Sequence, residues 1–188
     1  SQVAALYAQK TIEVLDSPGP LRARAWLLWG ETLSAQGAYG AAREKYQAAL
    51  AEAGPDDLGE INYFLGECEL KLGRLEEART FLEAVPMHHE RTAQAMRLLA
   101  QTALESGRYA VAGFWLARGR EDYPDSFLDS WVDYALVKVA IAEKDETRMT
   151  ALRQQAAQKY PPSDPWLTLL NAAAEAYEWK NSGLAEEK

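Results

Sequence analysis

The sequence predicts an all-α fold, an α-solenoid of antiparallel helix pairs, and three observations carry that prediction. Strand signals are nearly absent, with no sustained period-2 alternation and no Asn-Gly hairpin between β-branched runs. Alanine, leucine, glutamate and glutamine dominate, and apolar residues recur at helical spacing, as at Ala42, Tyr46, Ala49 and Leu50. Three segments also repeat in register: "SAQGAYGAAREKY", "LKLGRLEEARTFL" and "LESGRYAVAGFWL". Their glycines, Gly37, Gly73 and Gly107, lie 36 and 34 residues apart. A large residue follows each glycine two positions on (Tyr39, Leu75, Tyr109), and an alanine five positions on (Ala42, Ala78, Ala112). Glycine frees the turn between two helices, the large residue plugs their apolar end, and alanine lets them approach closely.

Taken in order, residues 2–16 form one helix, stopped by "SPGP". The first helix of each pair then reads Trp26-x-x-Trp29-Gly30-x-x-Leu33, Asn62-x-x-Leu65-Gly66, and Met96-x-x-Leu99-Ala100-x-x-Ala103. Trp26, Trp29 and Leu33 share one stripe, expected to face the second helix of their own pair, with Gly30 at the close approach. Second helices carry Ala42-x-x-x-Tyr46, Ala78-x-x-x-Leu82 and Ala112-x-x-x-Leu116. Pro86 falls where the second of these should still run, so that helix is expected to stop about one turn early. A fourth, degenerate unit runs to Pro161, with "AEKDETRM" in place of a turn glycine. Ser163 or Asp164 then caps a last helix with Pro165 in its first turn and an apolar stripe of Trp166, Leu170, Ala173 and Tyr177. Residues from 181 on read as frayed. The expected division is 1–22 for a leading helix, 23–56, 59–92, 93–124 and 125–161 for the four units, and 162–188 for a capping helix and tail.

Composition bounds the function. A chain of 188 residues carrying a net charge of −8 lacks the basic face that sequence-independent nucleic-acid binding needs. No apolar run approaches bilayer length, so direct membrane insertion is not expected. A single cysteine, Cys68, rules out an internal disulfide and any multi-cysteine metal site, and reads as a small buried hydrophobe. The opening "SQVAALYAQK" has neither an initiator methionine nor a signal-peptide pattern, which reads as a processed or excised piece. The compartment stays open between cytoplasm and periplasm.

The recurring residues resemble the tetratricopeptide repeat (TPR), whose pattern is W-x2-L-G-x2-Y, then A-x3-F, then P, over about 34 residues. The match is good over 23–124. The resemblance implies a right-handed superhelical α-solenoid whose first helices line a concave groove that holds a peptide or helix of a protein partner. Groove residues are then expected beside the buried stripes: Arg24, Leu27, Leu28 and Glu31 in the first unit; Glu60, Tyr63, Phe64, Glu67 and Leu70 in the second; Gln94, Arg97, Leu98, Gln101 and Glu105 in the third. Such a floor is apolar and aromatic with carboxylates along its sides, suited to hydrophobic anchors flanked by Lys or Arg. The bland reading of Leu27, Tyr63 and Phe64 is packing against neighbouring helices. Repeats of this family that clamp a chaperone's C-terminal carboxylate carry lysine, arginine and asparagine in the groove. The corresponding positions here are Leu27, Glu31, Phe64, Gln94 and Leu98, which would not neutralise a carboxylate.

Other chemistry is weakly indicated. His88 and His89 are adjacent, so they point about 100° apart on a helix and do not make a metal pair. They are also the only histidines to serve a nucleophile, and no phosphate-cradling glycine motif is present. No metal, cofactor or catalytic site is expected. Phe114 and Trp115 cannot both enter one core, and one of them is expected on Trp131 or Tyr134. The leading expectation is a non-catalytic interaction or scaffold module working within a larger assembly. The alternatives are a structural or self-associating module without a peptide ligand, homo-oligomers included, and a secretion-type chaperone.

Overall fold

The computed structural model describes residues 2–182, and the tail expected to fray lies outside them from residue 183 on. Among the described residues there are ten α-helices and no strand: α1 Gln2–Val14, α2 Pro20–Ala35, α3 Tyr39–Glu52, α4 Leu58–Lys71, α5 Leu75–Glu83, α6 Thr92–Glu105, α7 Tyr109–Asp122, α8 Ser130–Glu143, α9 Glu146–Lys159 and α10 Pro165–Asn181. Short 3-10 turns at Pro55–Asp57 and Pro124–Phe127 separate some pairs. The fold is all-α and TPR-like, and it divides into two compact units, residues 1–102 and 103–188.

The turns explain the pairing. Gly37, Gly73 and Gly107 sit at φ 76°, 74° and 71°, the left-handed region that costs glycine least. At each, the glycine N–H reaches the carbonyl three residues back, and the next N–H reaches the carbonyl five residues back. That closes the preceding helix with a Schellman cap. The fourth turn makes the same two bonds, Lys144 to Ile141 and Asp145 to Ala140, with Lys144 at φ 59°. The glycine is missing there, but the turn is not. Asp145 compensates locally, its side chain accepting the Arg148 N–H at 2.9 Å to cap α9.

In the first unit of the fold, α1 packs on α2, α2 on α3, α3 on α4 and α4 on α5. The core holds Leu27, Ala42, Tyr46, Ala49, Ile61, Leu65 and Cys68. Close approaches fall at the small residues: a Cβ on Gly30 would lie 2.4 Å from the Tyr46 ring, and one on Gly66 would lie 2.5 Å from Leu82 Cγ. Buried Glu69 ties the pairs together, accepting from Arg43 and lying 3.5 Å from Arg74. α5 has nine residues against fourteen in α3, ending three residues before Pro86, whose missing N–H bars a longer helix.

In the second, α7 packs on α8, α8 on α9, and α10 on both α8 and α9. Phe127 is fully buried against Gly119, where any Cβ would strike its ring. Asp133, 7% exposed, takes hydrogen bonds from Arg120, from Lys159 at 3.3 Å and from the Tyr160 hydroxyl at 2.7 Å. Asp164 caps α10 through the Trp166 and Leu167 amides, ahead of Pro165.

Three expectations need correction. The α10 stripe is Leu167, Leu170 and Ala174 with Tyr177 beside it, one step round from the expected set, while Trp166 leans outward on Tyr134. Leu27, expected in the groove, is core at 6% exposure. Trp26 and Trp29 are only half-buried; their rings stack on each other at 5.6 Å beneath Lys45 of α3. The reason is that α2 contacts α1, α3 and α4 at once, so its buried arc is wider than a helix with one partner would show.

Candidate protein-binding face

Between α2, α3 and α4 lies a cleft of about 340 Å³. Glu31 and Ser34 come from α2, Tyr39 and Tyr46 from α3, and Phe64, Glu67 and Lys71 from α4. Tyr46 is held under it because Gly30 leaves room for its ring and Phe64 stacks on it at 5.6 Å, 15° from parallel. The Cys68 thiol donates to the Tyr39 carbonyl at 3.0 Å, fixing the start of α3 to α4. Burial pushes that thiol up to about 11, so it stays protonated and unreactive at neutral pH.

Beside the cleft, Tyr63 meets Phe64 edge-on at 5.3 Å. Arg91 lies 5.3 Å from each of the two ring centres and donates to Glu60 at 3.1 Å. A cation over the ring faces and a carboxylate at its head fix both the arginine and the aromatic pair. Arg91 is positioned by the junction before α6. There its amide donates to His89 Nδ1, and the His89 ring occupies the space that Gly59 leaves open. His88 turns the chain at φ 68° and is exposed.

Electrostatically the face is acidic and incompletely paired. Glu31 and Glu67, both half-buried, form no hydrogen bond or ion pair among the described residues. Burial first, and the charge of Glu60 second, hold the Glu31 carboxyl above the ordinary carboxylate value, with Arg91 opposing. Burial likewise raises Tyr46 and Tyr63 above the ordinary phenol value. The Tyr46 hydroxyl is buried, and Ser34 beside it opposes the rise without reaching full hydrogen-bond geometry.

The structure thus brings Glu31, Phe64 and Glu67 to one cleft and joins Glu60, Tyr63 and Phe64 through Arg91. Leu28 is exposed at 40%, and Leu70 is half-buried. Arg24 is exposed and ion-paired with Asp57 at 2.8 Å. Leu27 is core and leaves the set. Gln94, Arg97, Leu98 and Gln101 lie on α6, and none of them lines the cleft. Sequence reasoning missed Arg91, Tyr46 and Ser34; the one available signal was Gly59, a small residue just ahead of Glu60 that marks close approach. On α7 the exposed ring is Phe114, which meets Trp115 edge-on at 5.1 Å, while Tyr134 packs on Trp166 instead. Among the described residues no group of three or more His, Cys, Asp or Glu could hold a metal ion.

Two family models, each described as a tetratricopeptide repeat, match the chain, one over residues 2–57 and the other over 33–101. Together they take in α1 through most of α6, more than half of the chain. The chain belongs to the tetratricopeptide-repeat family. TPR repeats generally mediate protein–protein interaction or scaffolding, and the family is typically non-catalytic. No curated protein matches the chain. Among the described residues of this TPR protein, no helix is long and apolar enough to cross a membrane.

Proposed function

We infer that this TPR protein is a non-catalytic interaction module that seats a segment of a protein partner on the α2–α4 face. The observation that supports it is an aromatic pair, Tyr63 and Phe64, flanked by two carboxylates without partners, Glu31 and Glu67. A partially desolvated acid beside accessible rings favours apolar anchors with basic neighbours. Affinity capture with the intact chain tests this. Tyr63→Ala combined with Glu67→Arg should lose a specific partner, while Glu77→Arg on exposed α5 should keep it. Capture that is the same for all three proteins overturns the assignment of the face.

Self-association is the second reading, and one observation favours it. Helix α1 exposes Val3 at 61%, Leu6 at 56%, Tyr7 at 70% and Val14 at 75%, an apolar run uncommon on a free surface. A solution mass above the monomer that falls on Tyr7→Glu would favour this reading.

A further inference from the structure

One buried hydroxyl of the first unit, that of Tyr46, lies at a cleft walled by two half-buried carboxylates. Tyr46 is 1% exposed, forms the floor, and has a hydroxyl without a hydrogen-bond partner. Two carboxylates, Glu31 and Glu67, stand on the walls with no cation bound to either. Phe64 and Tyr39 supply ring surface. A buried polar atom left unpaired costs free energy that a suitable donor recovers on entering.

We propose that this cleft is a pocket for an arginine side chain of the bound partner segment, an assignment that rests on the protein-binding reading above. The chemistry selects against the alternatives. An anion would meet Lys71, which is exposed, but also both acids. An apolar side chain would cover the carboxylates and strand them with the Tyr46 hydroxyl. An ammonium answers the charge but is compact and strongly hydrated. A guanidinium is planar, sheds water more readily, stacks on rings, and projects five donors in fixed directions. It can therefore pair with the wall carboxylates while stacking on the rings. The arginine already on this face, Arg91, donates to Glu60, lies over Tyr63 and Phe64, and does not line the cleft. The cleft's volume, about 340 Å³, sits at the lower end of the ~300–1,000 Å³ range of ligand pockets and leaves room for an arginine side chain.

The test uses the whole chain and N-acetyl-arginine methylamide as the probe, followed by amide chemical shifts in NMR. Binding should saturate in the millimolar range, with the largest shifts at Glu31, Ser34, Phe64 and Glu67. The citrulline counterpart, equal in shape but uncharged, should bind at least about tenfold more weakly. A Glu31→Gln, Glu67→Gln double variant that keeps its helical circular dichroism should lose the probe. Tyr46→Phe should weaken it by about threefold. Equal binding of the citrulline counterpart, or shifts that persist in the double variant, overturns the proposal. The two readings also fail separately. Partner capture that depends on Tyr63 without any arginine binding removes the pocket alone. Arginine binding beside a capture indifferent to Tyr63 removes the partner reading and with it the source of the arginine.

Discussion

At Tyr46 packing and polarity pull in opposite directions. Its ring fills the space that Gly30 leaves and stacks on Phe64, which explains why the position is aromatic. Its hydroxyl adds nothing to that packing and is buried unpaired. Removing the oxygen while keeping the ring should therefore raise stability, by about 1 kcal/mol if the lost penalty lies at the low end for a buried unpaired group. A denaturant midpoint that rises in Tyr46→Phe at unchanged slope is the expected outcome; a fall means that the hydroxyl has a partner in solution. Glu31 shows the same tension in its charge. Because its folded-state value is raised, the folded chain holds this proton where the unfolded chain has released it. Its contribution to stability is thus fully present below the unfolded value and is lost as pH rises through the folded one. Glu31→Gln keeps the site neutral at every pH. The variant should be more stable than the parent at pH 7, and the gap should be smaller at about pH 4, in the ordinary carboxylate range, where the parent takes up its proton too. Urea midpoints at the two pH values check this, and an equal difference at both would refute it.

Helix ends and crossings are where the repeat grammar becomes physical. The turn glycines were legible as a spaced motif, and their left-handed φ shows why glycine suits those three positions. Lys144 adopts the same conformation because the Schellman bonds and the Asp145 cap hold it there, at a cost the chain can absorb. Swapping the residues tests that cost from both sides. Lys144→Gly should raise stability by about 1 kcal/mol, and Gly73→Ala should lower it by about the same, each read from thermal unfolding. The glycines at crossings obey a different rule. At Gly66 helix propensity alone favours alanine by about 1 kcal/mol. A Cβ there would lie 2.5 Å from Leu82 Cγ and 3.2 Å from the Ala78 carbonyl, and a backbone atom cannot step aside cheaply. Overpacking outweighs propensity, so Gly66→Ala should lose a net 1–2 kcal/mol, roughly. A gain would mean that α4 and α5 separate more easily than their packing implies.

Across the whole molecule, what could be read in advance was whatever depends on one helix and its sequence neighbour. The order of the helices, the short α5 before Pro86 and the Asp164 cap are all of that kind. What could not be read depends on a third element. Leu27 is core because residues of α4 join those of α3 in its cluster, and a helical wheel drawn for a single partner turns it outward. Arg91 reaches Glu60 across the loop that the two histidines shape, a contact with no periodic signature. The same reliance on near neighbours governs stability. In repeat architectures each pair gains most from the pairs beside it, so openings tend to be local rather than global. Here the first compact unit holds an apolar cluster around Tyr46 and Leu65, and the second holds one around Val137 and Leu170. Gly66→Ala damages the first and Gly119→Ala, which drives a Cβ into the Phe127 ring, damages the second. Native-state hydrogen exchange should then rise first and most in the unit that carries the substitution: at α2–α5 amides for Gly66→Ala, and at α7–α10 amides for Gly119→Ala. A uniform rise along the chain in either variant would show instead that all ten helices open as a single cooperative block.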